Sequence, residues 1–276
     1  MMFILSFYVF IALYTVLFQW LFPVGLLEVR SLNWYLFGLL SVLLALILSF
    51  ITQLLILKLV GILRRNKPMT DLFNHRFANS LLRLGLHLIR TKVIVTGREN
   101  IPKGQFVLVG NHQENYDILV LKPIFRDHAL SFIAKEVLAK LPIFGPWMTV
   151  LGNVFISRYA DRSAAESIIH AIRNYKQGMS MGIFPEGKRS FGNEMIEFKA
   201  GAFKLAMKPK ADLLIATQYN TCTILKGFPW RPYRVHVHIH PVLPYDTFKD
   251  MNSHELSDHV KGLIQAQLDI FDKTIK

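Results

Sequence analysis

Two residues able to move a proton stand five positions apart in the middle of the chain. His112 follows an apolar, β-rich run at 105–109, and Asp117 precedes another apolar run. On one regular helix their side chains would point about 140° apart, so they can meet only if His112 lies in a loop and Asp117 in the first helical turn. There the helix dipole favours a carboxylate, which can orient one imidazole nitrogen and leave the other to accept a proton.

Such a pair supplies the base and the orienting carboxylate of a catalytic triad without its nucleophile. A hydroxyl group of the substrate could fill that role. The structural alternative is a helix-capping aspartate beside a hydrogen-bonded surface histidine.

Two other clusters end apolar runs and carry positive charge. Residues 184–190 read Phe-Pro-Glu-Gly-Lys-Arg-Ser, in which Gly187 permits close backbone approach and Lys188 and Arg189 suit a phosphate. Residues 152–158 end on Arg158. If these are strand ends, the base and the cations converge on one crevice, where α/β sheets usually bind ligands.

The elements that must position these residues alternate between strand and helix. Strands are predicted at 92–96, 105–109, 130–134, 154–157, 181–184, 213–218 and 234–239, and helices at 117–124, 162–177, 198–208 and 253–273. A turn is predicted to join the first two strands. The pattern predicts an α/β fold with a central, mostly parallel sheet flanked by helices.

The chain before these elements has a different composition. Residues 1–27 and 31–57 contain no charged side chain, and each run exceeds the roughly 20 apolar residues that span a bilayer. We therefore predict a membrane-anchoring helical hairpin at 1–60 and one catalytic domain at 61–276. A shallow insertion of both helices in one leaflet fits the same hydropathy.

Positive charge follows the second apolar run, at Lys58, Arg64, Arg65 and Lys67. The positive-inside tendency then places the domain on the cytoplasmic face of an inner, cytoplasmic-type membrane. Residues 70–90 show helical spacing with basic residues between the apolar ones. They predict an amphipathic helix, either at the membrane surface or covering the core.

The single cysteine, Cys222, excludes an intramolecular disulfide and a cysteine-based zinc site, and a half-buried small hydrophobe is its expected role. Beyond residue 60, Lys and Arg exceed Asp and Glu by 12. No nucleic-acid motif accompanies this charge, so anionic lipid headgroups are the expected partners.

Two weaker patterns are set aside. Residues 178–182 match G-x-S-x-G, but a helix precedes and a strand follows the serine, the reverse of a nucleophile elbow. His236, His238 and His240 alternate along one strand, which predicts a solvent-facing row rather than a metal site. We expect no metal and no resident cofactor.

Taken in order, residues 111–117, 152–158 and 184–190 resemble the first three motifs of the glycerolipid acyltransferase family, most closely the 1-acyl-sn-glycerol-3-phosphate acyltransferases. Residues 197–203 resemble the segment that follows the third motif, and the likeness runs over about 93–244. Lys188 replaces a common threonine. Residues 215–217 lack the proline usual in the fourth motif, so no role is assigned there.

The resemblance implies that His112 deprotonates the 2-hydroxyl of lysophosphatidate, which attacks an acyl thioester directly while Asp117 orients His112. It implies that Arg158 and Arg189, with Lys188 and the Gly187 backbone, bind the phosphate, and that Glu186 lies near the glycerol.

Lys135, after the strand at 130–134, is a further candidate for binding an anionic group, although a solvent-facing lysine is the simpler account. The donor would be acyl-CoA or an acyl group on acyl carrier protein, as co-substrate. The alternatives are acylation of another lysophospholipid or of glycerol 3-phosphate, or a catalytically silent membrane adaptor.

Overall fold

A computed structural model describes residues 2–21, 32–156, 161–227 and 232–275. The chain divides into two compact units, Met1–Arg65 and Asn66–Lys276.

The first unit consists of two apolar helices, α1 (Met2–Leu21) and α2 (Leu32–Arg64). Both are long and apolar enough to cross a membrane. At 1.5 Å per residue the 33 residues of α2 extend about 50 Å, well beyond a hydrocarbon core of about 30 Å. The second apolar run therefore continues as helix through Lys58 to the basic end of the unit.

The two helices pack through small and polar side chains. The buried residues of α2 recur every four positions, so they form one stripe along the helix: Ser41, Ala45, Ser49, Gln53 and Leu57. Ser49 Oγ donates to the carbonyl of Phe7 at 2.9 Å, and Gln53 Nε2 donates to Ser6 Oγ at 2.9 Å. Small residues allow close backbone approach, and the bonds satisfy polar groups that lipid cannot.

The second unit is built on a sheet whose seven described strands lie in the order β1-β7-β6-β2-β5-β3-β4. Neighbouring strands are parallel except for β6 and β7. The strands are β1 (Thr91–Thr96), β2 (Val107–Gly110), β3 (Leu130–Lys135), β4 (Val154–Ile156), β5 (Ser180–Ile183), β6 (Leu213–Tyr219) and β7 (Tyr233–Ile239). The predicted mostly parallel sheet is confirmed, but β1 and β2 are not neighbours, because β7 and β6 lie between them.

Helices cover both faces of this sheet. They are α3 (Leu72–Leu88), α4 (Tyr116–Leu121), α5 (Phe144–Val150), α6 (Asp161–Lys176), α7 (Lys204–Met207), α8 (Tyr245–Phe248) and α9 (Ser253–Thr274). The sequence did not predict α5, whose glycine and proline interrupt any helical period. Predicted helix 198–208 is a 3₁₀ turn at Ala200–Phe203 followed by the short α7.

Alternate residues of the central strands face opposite layers, as the pleat requires. Val107 and Val109 of β2 pack in one hydrophobic cluster with α6 and α9, whereas Leu108 packs with α4 and with α3 in the other. Strands β2, β5 and β6 are buried along their whole length. Because both layers are filled, the loops at the carboxyl ends of these strands rest on a rigid support.

Candidate active site

His112 lies in the loop after β2, and Asp117 is the second residue of α4. His112 Nδ1 is 2.6 Å from Asp117 Oδ2. An ionised carboxylate only accepts hydrogen bonds, so Nδ1 carries the proton and donates it. Nε2 is then left as the acceptor nitrogen, and 15% of the His112 side chain is exposed to solvent.

The Asp117 side chain is completely buried and its oxygens are well supplied with donors. Besides His112, Oδ2 accepts the backbone N–H groups of Gln113 at 2.7 Å and Glu114 at 3.0 Å. Oδ1 accepts the hydroxyl of Thr221 at 2.5 Å. A buried carboxylate needs such bonds to stay ionised, and here they also fix its orientation.

The imidazole is held from the side and from behind. Its ring stacks on Phe184 with centroids 4.5 Å apart, and Phe184 stacks in turn on Phe132. Behind the loop, Glu186 is 1% exposed. Its Oε1 accepts the His112 backbone N–H at 2.7 Å and its Oε2 accepts that of Ile196 at 3.1 Å.

Burial raises the pKa of the Glu186 carboxyl, although the two backbone bonds oppose this shift. The resemblance implied a position near the glycerol for Glu186. In the structure its carboxylate lies beneath the loop after β2 and accepts the His112 backbone N–H.

We call residues 111–116 the base loop and residues 187–193 the cation loop. The two loops are joined through their backbones. The N–H of Ser190 donates to the carbonyl of His112 at 2.8 Å, and the following residue in each loop repeats the contact at 3.1 Å. The cation loop is therefore held against the histidine.

Arg189 points from the cation loop to the base loop. Its Nη1 donates to Glu114 Oε2 at 2.9 Å, and its guanidinium carbon lies 4.5 Å from the ring centroid of Phe191. Burial would raise the pKa of the Glu114 carboxyl, but bonds from the Asn115 backbone and from Arg189 outweigh burial and hold it below its usual range. A guanidinium has five N–H donors, so Arg189 retains donors for an anion.

Gly187 begins the cation loop with φ +67°, a left-handed conformation that disfavours any side chain. A Cβ at this position would lie 3.2 Å from both Cε and Nζ of Lys199. Lys199 thus brings a cation to this loop that the sequence analysis did not assign, although it stands within the family-like segment 197–203. Lys188 is exposed beside it.

Two candidate cations remain. Lys135 is exposed at the carboxyl end of β3. Arg158 lies outside the described residues, two positions beyond the end of β4.

Behind the base loop lies a buried amide network that sequence reasoning missed. Asn111 Oδ1 and Nδ2 bond to the backbone of Gln218 at 2.8 and 2.9 Å. Gln113 Nε2 donates to Asn193 Oδ1 and to the Gln218 carbonyl, and Gln113 Oε1 accepts the N–H of Thr221. Asn111 and Gln113, one on each side of His112, were the available signal, but their partners stand 80 to 108 residues away.

The residues of the weaker sequence patterns, and the single cysteine, have different environments in the structure. Ser180 opens β5 after helix α6, and it accepts the Phe106 N–H at its buried Oγ, so it is not on a nucleophile elbow. His240, expected to face solvent, is 8% exposed and bonds to Thr217, and burial lowers its pKa to about 4. Cys222 is buried, and burial raises the pKa of its thiol. Among the described residues, no cluster of His, Cys, Asp or Glu could hold a metal ion.

Comparison with known proteins locates the domain. A family model described as Acyltransferase matches residues 92–242. The 1-acyl-sn-glycerol-3-phosphate acyltransferase of Borreliella burgdorferi is 33% identical over 193 residues, covering 68% of this chain and 76% of that protein. The enzyme of the same name from Salmonella typhimurium is 28% identical over 213 residues, covering 76% and 84%.

A solved structure shares the fold. The crystal structure of the 1-acyl-sn-glycerophosphate (LPA) acyltransferase PlsC from Thermotoga maritima aligns with a TM-score of 0.57 and 24% identity, covering 79% of this chain and 95% of that one.

Proposed function

The chain belongs to the acyltransferase family, and from this premise we propose that it transfers a fatty acyl group from an acyl thioester to the 2-hydroxyl of 1-acyl-sn-glycerol 3-phosphate, giving phosphatidate. The names of the relatives support this acceptor. The single observation that carries the chemistry is the buried Asp117 carboxylate holding Nδ1 of a partly exposed His112.

In the proposed reaction His112 Nε2 takes the proton of the acceptor hydroxyl as its oxygen attacks the thioester carbonyl. Asp117 keeps the ring in the required tautomer and stabilises the imidazolium that forms. When the tetrahedral intermediate collapses, the carbon–sulfur bond breaks and the imidazolium returns its proton to the departing thiolate. The products are an ester and a free thiol, and the chain forms no covalent intermediate.

The cation loop supplies the phosphate site in this proposal. Arg189 donates from its guanidinium, Lys188 and the Gly187 backbone approach from the exposed side, and Arg158 is proposed to join them. Lys199 beside Gly187 is a further cation within reach. A positioned base contributes typically about 10²–10⁴-fold, so holding the acceptor and the donor together must supply the rest.

The membrane contributes the acceptor. The two apolar helices are proposed to anchor the chain in an inner, cytoplasmic-type membrane, with the domain on the cytoplasmic face because Lys58, Arg64, Arg65 and Lys67 follow the second run. We expect carbonate to leave the protein in the membrane pellet. Protease should digest the domain in inside-out vesicles and spare it in right-side-out ones, and the opposite result would reverse the orientation.

One assay tests the reaction. Purified full-length protein in phospholipid vesicles is given lysophosphatidate, glycerol 3-phosphate or lysophosphatidylcholine, each with acyl-CoA or with acyl carrier protein carrying the same chain, and the products are read by mass spectrometry. Lysophosphatidate should be acylated fastest, with phosphatidate as the product. Faster acylation of another acceptor would reassign the substrate, and no product with any pair would favour a silent adaptor.

A further inference from the structure

We propose that Thr221 is a positioning residue for the Asp117 carboxylate and, through it, for His112. Thr221 begins a short 3₁₀ helix, Thr221–Thr223, two residues after β6 ends at Tyr219. Its hydroxyl lies 2.5 Å from Asp117 Oδ1, and both side chains are fully buried. The inference rests on the proposed function, because it assigns how the base of that reaction is held.

The direction of this hydrogen bond follows from its neighbours. The Thr221 hydroxyl also lies 2.8 Å from Gln113 Oε1, but it has a single hydrogen and can favour only one acceptor. Gln113 Oε1 already accepts the Thr221 backbone N–H at 2.9 Å, whereas Asp117 Oδ1 is charged and closer. Hydrogen bonds to a charged acceptor are about twice as strong as neutral ones, so the hydrogen points to Asp117.

The glutamine amide cannot be turned around to offer the hydroxyl its nitrogen. Gln113 Nε2 donates to Asn193 Oδ1 and to the carbonyl of Gln218, both at 2.9 Å. Both are acceptors, so the amide nitrogen must face them and its oxygen must face Thr221. The network therefore sets the Thr221 hydroxyl in place before it meets the carboxylate.

The two oxygens of Asp117 are held from different parts of the chain. Oδ2 takes its donors from residues 112–114 of the base loop, and among the described residues Thr221 is the donor to Oδ1. The terminal torsion of an aspartate is broad, so donors on one oxygen alone leave the carboxylate plane free to turn. The Thr221 bond fixes that plane, and with it the line along which Nδ1 of His112 is held.

The test removes the hydroxyl and keeps the shape. In Thr221→Val we expect kcat for lysophosphatidate acylation to fall about 10- to 100-fold while both KM values stay within about twofold, because Thr221 touches the positioning carboxylate and no substrate. Thr221→Ser, which retains the hydroxyl, should keep kcat within about threefold of the original. Thr223→Val is the matched control, since the Thr223 hydroxyl donates to the Asn220 carbonyl in the same turn and does not contact Asp117.

A merely structural role would show itself in the combination with Asp117→Asn. If Thr221 acts through the carboxylate, adding Thr221→Val to Asp117→Asn should cost no further kcat; independent effects would multiply. Should the valine variant fail to fold, Thr221→Ala against Thr221→Ser isolates the hydroxyl, as both lose the methyl group.

Equal kcat in the original protein and Thr221→Val, or in the Ala and Ser variants, would overturn the inference while leaving the proposed function intact. Full activity in folded His112→Ala would remove His112 from the mechanism, whereas failure of the original protein to form phosphatidate would overturn the proposed function.

Discussion

The base loop and the cation loop meet at the same edge of the sheet, yet they differ in how far their polar and charged residues are buried. Gln113 in the base loop and Asp117 just after it are fully buried, and their side-chain oxygens accept hydrogen bonds. In the cation loop, Gly187 and Lys188 are exposed, and Arg189 is partly exposed.

The difference follows from the two tasks. A base must take its proton along one line, so its ring is fixed by stacking, by a carboxylate and by a backbone bond. A phosphate has several charged acceptor oxygens, so donors that approach from different directions can bind it. Exposed cations attract the phosphate from a distance, so the base loop provides buried, oriented groups and the cation loop provides accessible charge.

The largest effect on activity should come from removing the fixed base. His112→Ala should reduce acyl transfer to background in a folded protein, and Asp117→Asn should lower kcat by about 10³- to 10⁴-fold because the ring loses its tautomer control. Circular dichroism would check folding, and initial rates of phosphatidate formation would measure the loss. Near-normal turnover in folded His112→Ala would remove His112 from the mechanism.

The sequence distance between contacting residues determined how much of the site could be predicted. His112 and Asp117 are close in the chain, and the strand-to-helix change between them limits their geometry, so their meeting could be expected before the structure was known. Glu186, Arg189 and Thr221 make their decisive bonds to partners 74, 75 and 104 residues away. No local period encodes such contacts.

Neighbouring positions in one segment also proved to have different environments. Glu186 and Lys188 stand two residues apart in a basic turn, yet Glu186 is buried under the base loop and Lys188 is exposed. The sequence likewise predicted a turn between β1 and β2 without showing that β6 and β7 lie between them, since strand order depends on which edges pair after the crossovers form. The family resemblance located the motifs, but only the structure showed which of their residues are buried.

The next largest effect should come from the cation loop. Arg189→Ala is expected to raise the apparent KM for lysophosphatidate about 10- to 100-fold, the worth of a hydrogen bond between charged groups, with a small change in kcat. Such a contact is made equally in the ground and transition states, so it contributes uniform binding. The KM for the acyl donor should stay constant. Lys208→Ala removes a cation outside both loops and is the control, which should leave the KM for lysophosphatidate unchanged.

A selective rise in the KM of the acyl donor in Arg189→Ala would reassign Arg189 to the thioester substrate. A fall in kcat alone would show that the two loops do not divide the work as their burial indicates.

Substituting Glu186 tests whether this residue supports the base loop or contacts the acceptor. Both of its oxygens accept backbone N–H groups, so Glu186→Gln places an NH₂ group opposite one donor and should disturb the His112 backbone. We expect kcat to fall about 10-fold and the KM for lysophosphatidate to change little, because the base and not the binding site is displaced. A rise in that KM with unchanged kcat would instead support contact with the glycerol, as the resemblance implies.

The smallest effect concerns the ion pair between the two loops, Glu114 with Arg189. Glu114 is ionised at neutral pH, because the bonds from Asn115 and Arg189 hold its pKa below the usual range, so it competes with an incoming phosphate for the guanidinium. Glu114→Gln removes the charge but keeps an oxygen that can accept from Arg189. We therefore expect the KM for lysophosphatidate to fall about two- to fivefold at low salt, and the gain to shrink as salt screens the charge.

Glu114→Ala removes the acceptor as well, so it should lose the orientation of Arg189 and raise the KM for lysophosphatidate. Steady-state rates at two ionic strengths distinguish the two roles of Glu114. Equal increases in KM for the Gln and Ala variants would show that the carboxylate serves to aim Arg189 rather than to compete for it, and that the cation loop depends on a fixed geometry as the base loop does.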